Sequence, residues 1–514
     1  RREMPDEPVV TETLPDPADE LYANGVSPEG AYLVPPVSAH LLAMLAQGEP
    51  LDPAMLKTLQ HAFESKSAPT FGATADWSNL AASGWGILFS AEDQDRVAAL
   101  KDALAPLLAR RKAQAGARYY ELEKEKAYRK GESKDAFLKR FKLGPGPVDP
   151  EKLPYYLLIV ADPRKIPFRF QYQLDVQFAV GRLHFDADDD ATALRMFARY
   201  ANSVVEVEEL AEAGKLACNK QAALFGVHND GDKNTALSSS DLVVPLASEL
   251  QADAPDWKVS AAVEDGAMKS NLGALLAGGD DQPAFLFTAS HGLGIKPDDP
   301  QQLARQGALV CGDWAGPGTK VTDADIFSAA DVDSKARLRG VIAFHFACFG
   351  AGTPQLDDFS AGAGRVPIAP YPFIARLPQT LLSNPGGAAL AVVGHIDRAW
   401  GYSFNWGEAG PQRTVFRRAF GGLLSGMRIG EALDDFNRRY AEMATILSAE
   451  LEDIKNDKTP DEGLLARYWT ANSDARNYVL LGDPAVRLPV TQTPAAGMPA
   501  AGQSETAPVA SPPA

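Results

Sequence analysis

Seven short apolar runs limit what this chain can fold into. They are GWGILFS (84–90), PYYLLIV (154–160), VQFAVGRL (176–183), QAALFGVH (221–228), PAFLFTAS (283–290), GVIAFHFAC (340–348) and AALAVVGH (388–395). Most are apolar on both faces, as strands must be when helices cover each side of the sheet. Between or after them lie stretches with helical spacing, such as DQDRVAALKDALAPLLARR, ATALRMFARYANSVVEVEEL and GEALDDFNRRYAEMATILSAELEDI. That alternation predicts a doubly wound α/β body with a mostly parallel sheet between helical layers. No repeat at a fixed period interrupts it.

The ends of the chain have a different character. Residues 1 to about 36 are rich in Pro, Asp and Glu without a sustained period, which predicts an extended or disordered arm. Two short helices are expected after it, VSAHLLAMLAQG and DPAMLKTLQHAFES, the second with Asp52 as N-cap and Pro53 at the first helical position. From Thr493 the sequence TPAAGMPAAGQSETAPVASPPA is low in complexity and cannot bury a core. The expected organisation is an N-terminal extension (1–79), an N-terminal α/β subdomain (80–215), a second α/β subdomain (216–490) and a Pro/Ala-rich tail (491–514). Within the first subdomain, residues 110–142 carry 12 Lys and Arg against 5 Asp and Glu, interleaved with Tyr119, Tyr120, Tyr128, Phe137 and Phe141. In so acidic a chain this reads as a solvated helical hairpin inserted between two strands.

A net charge of -17 repels phosphate backbones, so nucleic acid is not an expected partner. No apolar run approaches the roughly 20 residues of a membrane helix, and no membrane insertion is expected. The opening RREMPDEPVV has no apolar core of a secretory signal. Three cysteines, Cys218, Cys311 and Cys348, are too few for a disulfide scaffold. Both observations favour a reducing, cytoplasmic setting. His345 and Cys348 form an H-x-x-C, but with no second ligand pair a zinc site is not expected, nor is any cofactor. No G-x-S-x-G elbow occurs, which disfavours a serine hydrolase. The acidic run at 186–190 lacks the glycine and final glutamate of a calcium loop and is expected to cap the helix after it.

Two strand ends carry the chemistry. FLFTASHGLG (285–294) ends in His291 and Gly292, and VIAFHFACFGAG ends in Cys348, Gly350 and Gly352. Functional groups in open α/β sheets gather beyond the carboxyl ends of strands. A cysteine becomes a strong nucleophile when an imidazole removes its proton, and the same imidazole can then protonate a leaving amine. The amides of Gly292 and Cys348 are candidates for cradling an oxyanion, and Gly350 and Gly352 for the turn that exposes the sulfur. Cys218 and Cys311 have no comparable partner and are expected to be structural.

SHG and ACFG, in that order, resemble the motifs of the caspase-like (clan CD) cysteine peptidases, although Phe346 and Phe349 depart from the caspase pattern Q-A-C-[RQG]-G. The similarity is closer to the gingipain family. YYLLIVADPRKIPF, FAVGRL, VTDADIF, NPGGAALAVVGH and YVLLGDPAVRLP resemble successive segments of that family over roughly residues 80 to 490. The resemblance implies a caspase-like three-layer α/β/α body of two subdomains and peptide-bond hydrolysis through a thioester. It implies Cys348 as nucleophile, His291 as general base and acid, and Gly292 as oxyanion donor. Asp175, Asp397 and Trp400 lie where family pockets are lined. Cleavage after Arg or Lys would need such a carboxylate, although Arg398 beside Asp397 could cancel its charge. The expected partner is a protein or peptide substrate, with self-processing near SAGAGRVP (360–367) a further expectation. An inactive scaffold of the same fold, or a thiol transpeptidase or amidase using the same pair, remains an alternative.

Overall fold

The computed structural model describes residues 77–490, except 217, 280–281, 358–365, 407–408, 457–458 and 460, together with the pairs Glu20–Leu21 and Val37–Ser38. Of the helices expected at 37–48 and 52–65 only Val37–Ser38 is described, and it is a short strand; the rest of both, the 491–514 tail and most of the 360–367 loop lie outside the described residues. Two compact units are distinguished. One comprises 1–74, 145–147 and 447–465, and contains the antiparallel pairing of Glu20–Leu21 with Val37–Ser38. The other comprises 75–144, 148–446 and 466–514, and contains the ten-stranded sheet.

The strands of that sheet are β1 (Trp85–Phe89), β2 (Tyr119–Leu122), β3 (Tyr156–Val160), β4 (Ala179–Leu183), β5 (Gln221–Gly226), β6 (Lys258–Val263), β7 (Phe285–Ala289), β8 (Ile342–Phe346), β9 (Ala391–His395) and β10 (Tyr478–Gly482). Their spatial order is β2-β1-β3-β4-β10-β9-β8-β7-β5-β6. All seven apolar runs form strands. Every neighbouring pair is parallel except β9 with β10. The two halves of the sheet therefore run in opposite directions, and the carboxyl ends of one half open on the edge opposite those of the other. Both predicted subdomains contribute to this one sheet.

Alternation along the strands sorts the core into layers. In the first half, Ile87, Phe89, Leu158 and Val160 pack with Leu100, Leu107 and Val204 of the helices Val97–Ala103, Ala105–Ala115 and Asp190–Glu212. Leu88, Leu157, Ile159 and Val180 face the other way, toward Phe137 and Phe170 of helices Lys134–Arg140 and Phe168–Leu174. In the second half, Phe285, Phe287 and Phe344 meet Phe416 and Phe420 of helix Thr414–Leu424 at ring-centroid distances of 4.7–6.1 Å. The body is the three-layer α/β/α architecture expected from the alternation.

The 110–142 segment differs from its expectation. It is not a solvated helical hairpin. It supplies the end of one helix, the edge strand β2 and helix Lys134–Arg140, and it buries Tyr128 and Phe137. Arg111 is fully buried, its Nε 2.7 Å from Asp483 and its Nη2 2.7 Å from Glu208, while Trp85 Nε1 donates to Asp483 at 2.9 Å. Net basicity concealed this because charge counting does not distinguish a solvated cation from one buried against two carboxylates. At 186–190 the capping expectation is met by Asp189, whose Oδ1 accepts from Thr192 N at 2.7 Å.

Candidate active site

Register aligns the two strand ends. β7 and β8 pair in parallel as Phe287 with Phe344 and Ala289 with Phe346, residues 57 apart in the sequence. His291 and Cys348 have the same separation, so two more steps along each strand direction bring them to one level. Both line one cavity of about 250 Å³. β5 lies on the other side of β7, also parallel, with Gly226 opposite Ala289. Three adjacent strands thus end on one edge.

The third strand supplies a residue the sequence reading missed. His291 Nε2 makes a short hydrogen bond with Asp232 Oδ2, six residues beyond β5. Asp232 also caps helix Lys233–Leu237, its Oδ1 accepting from Asn234 N at 2.9 Å. The loop is pinned by Asn229, whose Nδ2 donates to Cys311 O at 3.0 Å and Trp314 O at 2.8 Å. Burial works to raise the Asp232 pKa, and the bonds from His291 and Asn234 outweigh it, so the carboxyl is held below its ordinary value. His291 is one-third exposed and Asp232 is 4% exposed at the side chain. Trp314 meets the imidazole edge-on, with ring centroids 5.9 Å apart. Among the described residues Nδ1 makes no hydrogen bond, leaving it for a thiol or a substrate. A helix N-cap aspartate closing the loop after a third apolar strand was the signal available in HNDGDKN (228–234).

The sulfur sits at the mouth of a strained turn. Phe349 has φ 58°, a left-handed conformation uncommon for a bulky residue. Its N donates to Asp397 O at 2.8 Å, which fixes the turn against the segment after β9. Gly350 and Gly352, expected to provide the turn, are not its left-handed residues; a Cβ on Gly352 would lie 2.6 Å from Phe373 O, so that glycine permits close packing. Cys348 Sγ accepts from Ala399 N at 3.4 Å and lies 3.9 Å from Ala399 O. No hydrogen bond joins it to His291 among the described residues. Burial raises the thiol pKa above its ordinary value, opposed by the Ala399 amide and reinforced by Asp397.

Gly292 lies against the nucleophile's backbone. A Cβ there would be 1.8 Å from Cys348 O and 2.9 Å from Cys348 N, so no other residue fits without displacement. Gly292 pairs with Leu309 in a bridge whose bonds run through the residues on either side, Leu293 N to Ala308 O and Val310 N to His291 O. Among the described residues neither the Gly292 nor the Cys348 amide donates a hydrogen bond.

The other predicted site residues divide. Trp400 lines the cavity. Asp397 does not; it is buried, with Oδ1 accepting from Arg398 N at 2.7 Å and Arg398 Nη1 at 3.2 Å. Asp175 lines a different, much smaller cavity with Leu433, Phe436 and Tyr478. Burial pushes its carboxyl well above the usual range, although Val180 N donates to it at 2.9 Å. Neither aspartate lines the cavity shared by Cys348 and His291, so the pocket positions implied by the resemblance do not converge there. His345 bonds Thr288 Oγ1 at 2.8 Å in the core, and burial lowers its pKa to about 4. Burial pushes Cys218 up to about 11 and Cys311 up to about 12. Among the described residues one set of three ligand-type groups converges, Asp162, His184 and Asp186, on the opposite edge of the sheet. Arg164 Nε donates at 2.7 Å to Asp162 Oδ2, the oxygen that faces His184, so a cation there would compete with a guanidinium.

No family model and no curated protein matches the chain. Among solved structures it is similar to the Arg-specific cysteine proteinase gingipain R (RGPB), with a TM-score of 0.42 and 12% identity over 82% of this chain and 80% of that one. It is similar to a chain described as a protease, with a TM-score of 0.43 and 12% identity over 79% and 78% of the two chains. The complex of Porphyromonas gingivalis RgpB pro- and mature domains gives a TM-score of 0.42 and 13% identity over 79% and 80%. At these values it is a likeness of chain outline.

Proposed function

We propose that this chain is a cysteine endopeptidase in which Cys348 is the nucleophile and His291 the general base and acid. The observation carrying this reading is that both residues line one cavity at the ends of adjacent parallel strands, with Asp232 bonded behind the imidazole. The raised thiol pKa means that the sulfur rests protonated. Reaction begins when His291 Nδ1 takes that proton and the thiolate attacks the substrate carbonyl carbon. The amides of Gly292 and Cys348 receive the developing oxyanion, a contribution of about 3 kcal/mol per donor in comparable sites. Collapse expels the amine, which takes its proton from His291, and leaves a thioester on Cys348. Water, deprotonated by the same imidazole, then releases the acid. Asp232 holds the ring orientation and offsets the charge of the imidazolium.

The test is labelling by a peptidyl acyloxymethyl ketone followed by mass spectrometry. Label is expected on Cys348, retained in Cys218→Ala and Cys311→Ala and lost in Cys348→Ala and His291→Ala. Label that persists at full rate in His291→Ala overturns the pairing.

A further inference from the structure

Resting on that peptidase reading, we infer that the cavity beside Cys348 receives an uncharged, apolar side chain from the residue preceding the cleaved bond. The residue whose carbonyl is attacked lies nearest the sulfur, and the cavity that opens there has Cys348 and His291 on its own wall. Its volume of about 250 Å³ is below the roughly 300–1,000 Å³ of sites that enclose whole small molecules. It suits a single side chain.

The wall chemistry selects against charge. Leu237, Phe346, Trp400 and Phe404 supply the apolar surface. The three hydroxyls that described residues place on the wall already have partners within the protein: Ser238 Oγ donates to Thr235 O at 3.1 Å, Thr235 Oγ1 accepts from Asn229 N at 3.1 Å, and Ser290 Oγ donates to His291 O at 3.1 Å. Leu237 and Ser238 stand where the helix capped by Asp232 passes into a π-helical turn, Ser238–Val243, a local widening common at functional sites.

Among the described residues, the wall offers a basic side chain no carboxylate. Among the described residues, three nearby carboxylates are engaged: Asp232 with His291, Asp397 with Arg398, and Asp474 with Trp400 N at 2.9 Å and Ser403 Oγ at 2.6 Å. A buried cation without a counter-charge is strongly disfavoured. An acidic side chain would meet Arg398, which does line the cavity. Its guanidinium already grips Asp357 through both Nη atoms, at 2.8 and 3.0 Å, and touches Asp397 at 3.2 Å. An incoming carboxylate would have to displace one carboxylate while standing beside another.

The experiment measures kcat/KM of the full chain on peptide amides differing only in the residue before the cut, with Leu, Phe or Met set against Arg or Lys and against Asp or Glu. The same series is built into acyloxymethyl ketones and read as Cys348 labelling rate. Apolar members are expected to react at least about tenfold faster than either charged class. Equal or faster reaction of a charged class, with Cys348 still labelled, overturns this inference and leaves the peptidase reading standing. Absence of both cleavage and labelling across the series sinks both. Leu237→Asp, checked for folding by circular dichroism, is expected to move preference toward Arg and Lys by about tenfold or more; an unchanged preference in folded protein means that this wall does not contact the side chain.

Discussion

The two edges of the sheet hold the same kinds of residue and use them differently. Where β5, β7 and β8 end, there are a thiol, an imidazole, a carboxylate and two amides that donate to nothing among the described residues. Where β3 and β4 end, the chain places Asp162, His184 and Asp186 around a larger cavity of about 360 Å³. There the charges consume one another. Arg164 holds Asp162, Lys165 pairs with Asp93, and His184 Nε2 lies 3.1 Å from Asp186 and 3.6 Å from Asp162. Gln379 Nε2 donates to Asp186 at 3.0 Å. A histidine beside aspartates in a large cleft therefore does not by itself mark chemistry. The distinguishing property is hydrogen-bonding and nucleophilic capacity left uncommitted by the fold.

That contrast breaks most visibly through the histidines. His291→Ala is expected to reduce peptide hydrolysis by at least about 10⁴-fold, since a nucleophile without its base loses most of the catalysis such units provide. His184→Ala is expected to change kcat/KM by less than about twofold. Both are measured on one peptide amide, with circular dichroism confirming the fold. Comparable losses in the two variants would mean that the edges are coupled or that the site is misplaced.

The aspartates sharpen the comparison. Asp232→Asn keeps the shape of the side chain but removes the charge behind His291, and is expected to lower kcat by about 10² to 10⁴ with little change in KM. Asp162→Asn, facing His184 in a similar way, is expected to leave both constants within about twofold. A drop confined to KM in Asp232→Asn would assign that carboxylate to substrate binding.

Sequence made much of this legible where a residue's role follows from its strand. All seven apolar runs became strands because burial on both faces leaves a continuous apolar signature. Three strands of the ten-stranded sheet escaped it. β6, KVSAAV, is half solvated at the sheet edge, β2 lies within the basic segment, and β10 follows directly on helix Glu462–Arg476. The Cys348 and His291 pair was visible as two strand ends sharing a 57-residue offset. Asp232 was not, because its position depends on which third strand neighbours β7, and no local pattern encodes strand order. Nor was it visible that Asp175 lines a separate cavity and that Asp397 is buried against Arg398. Closeness to a strand end gives the edge on which a residue lies, not the cavity it faces.

Asp186 gives the smallest expected effect and tests whether the second edge is a structural charge network. Burial works against its charge, but the bonds from His184 and Gln379 and the nearby Arg376 outweigh that cost and hold the carboxyl down to about 2. The unfolded chain titrates near 3.9. A depressed carboxyl contributes stability that is fully present above the unfolded value and lost as pH falls through the folded one. Each pKa unit corresponds to about 1.4 kcal/mol, but a third of this side chain is in water, and screening reduces the expected contribution to about 1 kcal/mol. Urea unfolding of the protein and of Asp186→Asn should therefore differ by about 1 kcal/mol at pH 7. Roughly half of that gap should remain at pH 3. A gap as large at pH 3 as at pH 7 would trace the loss to shape rather than charge. No gap at pH 7 would mean that this edge does not hold itself together by its own ions, and the distinction between an edge that consumes its charges and one that keeps its groups available would lose its physical basis.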